Sequence, residues 1–175
     1  MDLQRGQRVA LADLGLTGAF DVALDLTGTA PAARFYAVLG HDDGKKPPVV
    51  VSLAAPFDGR ADGVRAQRPA GATQAQAALD TALLGEQARV TFAVVLGSPA
   101  GQGAFQAHLR LLEEGRVAGR IRFHDADFEG QRAFIVAQIY RASSGLRCAA
   151  VGQGVAEVAG LASAIGVDRA SFEGA

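Results

Sequence analysis

The chain has 175 residues, of which 49% are hydrophobic and 20% are charged, and its formal net charge is -1 at pH 7. This size and composition indicate one globular domain, residues 1–175, that buries about two-thirds of its unfolded surface and needs no metal or disulfide to fold. The near-neutral charge argues against a domain built chiefly to grip a nucleic-acid backbone, because such domains usually concentrate basic charge.

The cysteine content and the N-terminal segment bear on where the protein resides. Cys148 is the single cysteine, so no internal disulfide can form, which fits a reducing compartment. Arg5 and Arg8 occupy the stretch that a secretion signal would fill with apolar residues, and no apolar run approaches the ~20 residues of a membrane-spanning helix. We therefore expect a soluble, cytoplasmic protein.

The first third of the chain predicts three short strands. Apolar side chains there alternate with polar ones or form short β-branched runs bounded by glycine and proline, which is typical of strands. The strands are expected at residues 22–26, 34–39 and 49–51. Because Asp43-Gly44 suits a hairpin turn between the last two, the three strands together predict a meander.

The middle of the chain contains a segment with little apolar periodicity, followed by a segment with a clear strand pattern. Residues 54–75 have little apolar periodicity and many Gly, Asp and Arg residues, which predicts a long surface loop of the kind that often carries function. Residues 89–96 are β-branched and apolar, and they predict a central strand buried on both faces.

The last part of the chain predicts further strands and then a helix. The strands are expected at residues 105–113, 119–123, 133–141 and 147–151, with a solvated acidic hairpin turn at residues 125–130. The first of these strands is expected to be half solvated, since His108 and Arg110 alternate with apolar residues and so face outward. Apolar residues between Val155 and Ile165 fall at helical spacing, and Gly166 suits a left-handed stop. The pattern predicts an all-β fold, a two-sheet antiparallel β-sandwich with a C-terminal helix that covers an end or an edge.

Several segments, in order, are similar to a known family. Residues 3–11 read Leu-Gln-Arg-Gly-Gln-Arg-Val-Ala-Leu, and residues 20–24 read Phe-Asp-Val-Ala-Leu. Later segments are Ile139-Tyr140-Arg141, Ala149-Ala150-Val151-Gly152-Gln153-Gly154, Gly160-Leu161-Ala162 and Ile165-Gly166-Val167. Over nearly the whole chain these segments resemble the TerD family, the β-sandwich proteins of bacterial tellurium-resistance and stress-response operons.

The resemblance implies a function as well as a fold. It implies a non-enzymatic, cytoplasmic stress-response protein that serves as a binding or scaffold subunit, with other stress-response or Ter-type proteins as partners, membrane-associated ones included. It also implies that residues 152–154 form a tight turn between the last strand and the helix. The loop at residues 54–75 would present the recognition surface.

Typical members of the family bind calcium through Asp-rich loops, but this chain departs from those motifs. The aligned residues are Asp25-Leu26-Thr27, Pro31-Ala32-Ala33 and Gly71-Ala72-Thr73-Gln74. Calcium takes ~6 to 8 oxygen ligands, several of them anionic, and neutral Ala or Gln does not replace that charge. We therefore expect a degenerate calcium site and no cofactor.

Two groups of acidic residues keep weak calcium binding open. The first group is Asp21, Asp25, Asp58 and Asp62, in which the Asp-Gly pairs are also ordinary turn formers. The second is Asp125, Asp127 and Glu129, whose i, i+2, i+4 spacing resembles the start of a calcium loop but lacks its terminal acid.

Basic residues supply the candidate partner-binding site. Arg60, Arg65 and Arg68 give the loop at residues 54–75 a basic character, and with Arg5, Arg8 and Arg34 they would form an anion-binding surface for acidic lipid, nucleic acid or an acidic protein. The alternative is that these arginines are ordinary solvated surface residues.

Other chemistry has less support in the sequence. The three histidines, His41, His108 and His124, have no metal-ligand spacing, and neither Ser143, Ser144 nor Cys148 has a recognisable base. The alternatives that stay open are a small-molecule or nucleotide-binding protein that uses the region of Gly152 and His41, an enzyme with an unrecognised site, and nucleic-acid binding through the arginine-rich loop.

Overall fold

The computed structural model describes residues 1–101 and 104–172, and within them lie thirteen strands and one α-helix. The strands are β1 (Asp2–Leu3), β2 (Arg8–Ala10), β3 (Ala19–Thr29), β4 (Ala33–His41), β5 (Val49–Ser52), β6 (Arg60–Ala61), β7 (Val64–Gln67), β8 (Ala75–Asp80), β9 (Ala88–Leu96), β10 (Ala104–Glu113), β11 (Arg116–His124), β12 (Ala133–Ala142) and β13 (Gly145–Val155). The helix is α1 (Val158–Ile165), and short 3-10 segments lie at Leu11–Leu14, Thr81–Leu83, Asp125–Phe128 and Arg169–Phe172.

The strands form two sheets that pack face to face, so the predicted sandwich is confirmed. One sheet has seven strands in the order β1-β11-β10-β3-β8-β7-β6, and the other has six in the order β2-β13-β12-β9-β4-β5. Neighbouring strands are antiparallel except β1 and β11, which are parallel.

Alternation along the strands builds one apolar core between the sheets. In β10, Phe105, Ala107, Leu109 and Leu111 are buried, while the residues between them face solvent in part. Each large side chain buried in this way contributes about 1.5–3 kcal/mol. The predicted central strand is also confirmed, since β9 lies inside its sheet and all but one of its residues are buried.

The helix lies over a face of the sandwich and not over an end or an edge. Leu161, Ala162 and Phe172 pack on the outer face of the six-stranded sheet, against apolar residues that include Tyr36 and Val95. The hydroxyl of Tyr36 donates a hydrogen bond to the Phe172 carbonyl at 3.1 Å. Gly166 has φ 87° just after the helix, which confirms the predicted left-handed stop.

The long loop expected at residues 54–75 is wrong in part, because it contains a small hairpin. Strands β6 and β7 pair there, and β7 then pairs with β8. Val64 and Ala66 are buried and alternate with exposed Arg65 and half-buried Gln67. The pattern of a strand is therefore present, but it extends over only four residues.

Two predicted connections within a sheet instead cross between the sheets. The expected meander is wrong because β3 belongs to the seven-stranded sheet and β4 to the six-stranded one, although β4 and β5 do form the predicted hairpin. The acidic segment Asp125–Phe128 likewise joins β11 of one sheet to β12 of the other. Phe128 anchors this crossing, since its fully buried ring stacks on Phe134 at 4.1 Å between centroids.

Gly152 lies inside β13 and does not form a strand-to-helix turn. The register slips there, since Ala150 faces Ala137 and Gln153 faces Ile135, so two residues of β13 oppose one of β12. Gly152 has φ 62°, and a Cβ atom at this position would lie 2.7 Å from the Phe123 ring. A bulge that requires glycine follows from these two facts.

Candidate functional site

The outer face of the seven-stranded sheet carries a concentration of cationic side chains. Strand alternation turns His108 and Arg110 of β10 outward, and it does the same for Arg120, Arg122 and His124 of β11. The residues between them are apolar and point into the core, so the five basic side chains all lie on the outer face of the sheet.

These side chains surround a pocket of about 410 Å³, which we call the sheet-face pocket. Strand β1 forms one wall because Asp2 pairs in register with Arg120 and Leu3 with Ile121. The polar residues that line the pocket are Asp2, Gln4, His108, Arg110, Arg120, Arg122 and His124.

The register of β10 and β11 sets like charges directly opposite each other. Arg110 faces Arg120, and His108 faces Arg122. Directly opposed like charges destabilise a sheet, whereas opposite charges there stabilise it by roughly 0.2–1 kcal/mol. The opposition of Arg110 to Arg120 therefore does not itself stabilise this sheet, and neither does that of Arg122 to a protonated His108.

One of the three arginines is neutralised within the protein. The Arg110 Nη2 atom lies 3.0 Å from Asp25 Oδ2 and donates a second hydrogen bond to Thr73 Oγ1 at 2.6 Å. Within the described residues no ion pair or side-chain hydrogen bond engages Arg120 or Arg122. These two guanidinium groups are exposed, so their donors face the solvent.

The pKa of His108 reflects both its burial and the positive charges around it. Burial lowers the pKa of His108 below its ordinary value of 6.5, and the charges of Arg122 and Arg110 and the neighbouring His124 lower it further. Asp25, beside His108 in register on β3, acts in the opposite direction and raises it. The free protein thus favours neutral His108, because burial first and the surrounding cations second outweigh the nearby carboxylate.

The arginines singled out from the sequence lie at the other edge of the same sheet. Arg60 of β6 faces Arg65 of β7 in register, and both are exposed, as is Arg68. The Arg68 guanidinium lies 5.2 Å from the centre of the Phe57 ring. We call these three residues the arginine edge, since β6 is the last strand of the sheet.

The wider basic surface expected from the sequence is not formed. Arg8 and Arg34 belong to strands of the six-stranded sheet, and the Arg5 guanidinium lies over the Phe123 ring at 5.4 Å. The loop arginines belong to the other sheet, so the six residues do not share one face.

The structure does not bring Asp21, Asp25, Asp58 and Asp62 together as a ligand set. Asp25 pairs with Arg110 and accepts a hydrogen bond from the Gln74 amide. Asp21 and Arg65 lie in one row on either side of Ala78, and burial raises the pKa of Asp21 while Arg65 partly offsets that rise. Asp62 borders a different pocket beside His41, and Asp58 is exposed.

The acidic segment at residues 125–130 has a structural role that the sequence did not show. Asp125 is buried, and its Oδ1 atom accepts a hydrogen bond from the Gly101 amide at 3.0 Å. Asp127 accepts one from the His124 amide at 2.8 Å, which caps the short 3-10 segment, and Glu129 is exposed. The two aspartates thus hold the crossing between the sheets.

Gly152 and His41 do not share one end of the sandwich. His41 of β4 pairs with Ala88 at the start of β9, whereas the Gly152 bulge lies level with Ala93, and its strand β13 is three strands away from β4. Burial raises the pKa of the Cys148 thiol to about 12, so this thiol stays protonated. Neither position assembles the ligand or catalytic site that the sequence left open.

The sheet-face pocket is not predicted as a site by the sequence, although part of its signal is visible there. The spacing of the histidines along the chain does not group them, and only the register of β10 with β11 brings His108 and His124 to one pocket. The alternation of His108 and Arg110 with apolar residues did predict that both face outward.

Two general features of the described residues complete the site. They contain no group of three or more His, Cys, Asp or Glu side chains placed to hold a metal ion. No helix among them has the length and apolar character needed to cross a bilayer.

These features define a class of protein: a two-sheet β-sandwich whose seven-stranded sheet carries cationic side chains on its outer face. Comparison of the chain with protein-family models, with curated proteins and with solved structures gives no match.

Proposed function

We propose that this chain is a non-enzymatic binding or scaffold protein of a bacterial stress response, related in role to the TerD proteins that its sequence resembles. In this proposal the arginine edge holds an acidic surface of another stress-response protein in the cytoplasm. The fold supports the proposal, since a β-sandwich that ends in a helix is also what the resemblance implies.

The observation that carries the proposal is the register of Arg60 against Arg65. Two exposed arginines face each other on the last two strands of the sheet, and Arg68 lies over the Phe57 ring. Arginine suits such a role because its planar fork binds carboxylates through two parallel hydrogen bonds. The outer backbone groups of an edge strand are also open to pairing with a second chain.

A capture experiment with charge-reversed protein tests the proposal. Wild type and the Arg60→Glu/Arg65→Glu/Arg68→Glu variant are immobilised and exposed to extracts of the source cells grown with and without tellurite. We expect a defined set of proteins on wild type that the variant loses, because glutamates repel an acidic surface. The captured proteins should dissociate as salt is raised, since exposed charge pairs are screened.

The matched control is the Arg120→Gln/Arg122→Gln variant, whose changes lie at the opposite end of the same sheet face. It should capture the same proteins as wild type. If wild type and the charge-reversed variant capture identical sets, the arginine edge is not the docking surface and the proposal fails.

A further inference from the structure

Besides the arginine edge, the sheet-face pocket has the properties of a ligand site. Its volume of about 410 Å³ lies within the range of small-molecule pockets, roughly 300–1,000 Å³. That volume exceeds what one small inorganic anion fills, so a ligand would extend beyond its charged group. The pocket lies three strands or more from β6 and β7, so it can be tested separately from the scaffold role.

Charge identifies the kind of group that the pocket suits. Arg120 and Arg122 are exposed and unpaired within the described residues, and they are separated by one residue on β11, so both project from the same face. His108 lies directly across from Arg122 and supplies a further donor when it is protonated. An anion placed among these groups would offset the positive charge of Arg120 and Arg122, with which no carboxylate of the described residues pairs.

Geometry favours a tetrahedral oxyanion over a single carboxylate. Three donor groups from two strands converge on the pocket, and a phosphoryl group presents three acceptor oxygens where a carboxylate presents two. Arginine is over-represented where phosphate is bound, because its fork matches adjacent phosphate oxygens.

We propose that the sheet-face pocket binds the phosphate group of a small phosphorylated molecule, held by Arg120, Arg122 and His108. Asp25 keeps Arg110 in place beside them and is not itself a contact of the anion, since it is engaged by Arg110 and by the Gln74 amide. Asp2, on the β1 wall, disfavours ligands that carry further negative charge on that side.

A linkage to protons follows from the position of His108. The groups that face it are Arg122 and His124 from β11, Arg110 from its own strand and Asp25 from β3, with Asp2 on the β1 side of the pocket. The cations lower the pKa of His108 in the free protein, and a bound anion opposes them. Binding is therefore accompanied by proton uptake, and the affinity for an anion of constant charge increases as the pH falls towards the lowered pKa of His108 in the free protein.

The first experiment measures oxyanion binding by calorimetry and by amide resonance shifts in NMR. Glycerol 3-phosphate and inorganic phosphate are compared with succinate, which has two carboxylates and no phosphoryl group. We expect saturable binding of the phosphate probes, with resonance shifts confined to β1, β10 and β11, and at least tenfold weaker binding of succinate. Tighter binding of the ester than of free phosphate would identify a phosphorylated molecule, and equal binding would identify phosphate itself as the ligand.

The second experiment isolates the proton linkage with sulfate. Sulfate stays a dianion across the relevant pH range, so a change in its affinity reports on the protein alone. Between about pH 7.5 and about pH 5.5 we expect its affinity to rise roughly 3- to 10-fold, because each unit of pKa rise on binding corresponds to a tenfold change. The His108→Gln/His124→Gln variant should lose most of this rise.

Matched variants decide whether the pocket is responsible. Arg120→Gln/Arg122→Gln should weaken binding of the phosphate probes at least about tenfold, because two charge-assisted contacts are lost. Arg60→Gln/Arg65→Gln should leave binding unchanged. The inference is overturned if no phosphate probe binds saturably, if succinate binds as tightly, or if the two double variants behave alike.

Discussion

At the scale of single residues, Asp25 has a different role in the structure from the one for which the sequence singled it out. From the sequence it was one of four aspartates that left weak calcium binding open, whereas in the structure its carboxylate pairs with Arg110 and accepts a hydrogen bond from the Gln74 amide. The pair is partly buried, since the side chain of Asp25 is 11% exposed and that of Arg110 is 32% exposed. Asp25 therefore stabilises one arginine of the pocket and leaves Arg120 and Arg122 for a ligand.

The effect of Arg122 on its neighbour gives a prediction for one residue. Arg122→Gln removes a charge that lowers the pKa of His108, so that pKa should rise towards its ordinary value of 6.5, with burial still holding it below. A titration of the imidazole resonances by NMR measures the change directly. Arg60→Gln, at the far edge of the sheet, serves as the control and should leave the titration where it is in wild type. An unchanged His108 in Arg122→Gln would show that the two side chains do not interact.

At the scale of elements, the strands rich in β-branched and aromatic residues were predicted close to their observed bounds. Strand β8 was missed because its buried positions include Ala75 and Ala77, and alanine is depleted in strands. The connections were harder still, since an acidic turn between two strands looks the same whether it closes a hairpin or crosses between sheets. The crossing at Asp125–Phe128 depends on Phe128 reaching the core, which is a long-range contact.

The bulge in β13 provides a test at this scale. Gly152→Ala places a Cβ atom 2.7 Å from the Phe123 ring and at positive φ, whereas Gly6→Ala meets positive φ with nothing within 4 Å. Left-handed backbone costs an ordinary residue ~1–2 kcal/mol in both variants. The overlap adds ~1–3 kcal/mol for Gly152→Ala alone. Urea unfolding of both variants measures the difference, and equal costs would mean that the bulge adapts to a side chain without disturbing the core.

At the scale of the whole molecule, the candidate pocket is a product of topology. The sequence predicted that His108 and Arg110 face outward, but their neighbours come from β1, β3 and β11, which lie far apart along the chain. The hydrophobic periodicity of a strand shows which of its side chains face outward, but it does not show which strands are neighbours in a sheet. Neither the opposed basic side chains of β10 and β11 nor the parallel pairing of β1 with β11 could therefore be predicted from the sequence pattern alone.

The same topology makes the stability of the whole protein depend on pH. His108 has a lowered pKa in the folded protein, so the unfolded chain binds its proton more readily. The free energy of unfolding that neutral His108 contributes is fully present above about pH 6.5 and is lost as the pH falls below that value. Acid should therefore favour unfolding. Urea midpoints measured from about pH 7.5 to about pH 5 should fall less in His108→Gln than in wild type.

Arg122→Gln should give an intermediate pH dependence, because it removes one of the charges that lower the pKa of His108 and leaves burial in place. Saturating sulfate should reduce the acid-induced loss in wild type, since a bound anion favours the protonated, folded state. It should have little effect on Arg120→Gln/Arg122→Gln, in which the anion has lost two of its contacts. If wild type and all the variants lose stability in parallel, with and without sulfate, the acid sensitivity arises outside the sheet-face pocket. The charges of that pocket are then not coupled to anion binding.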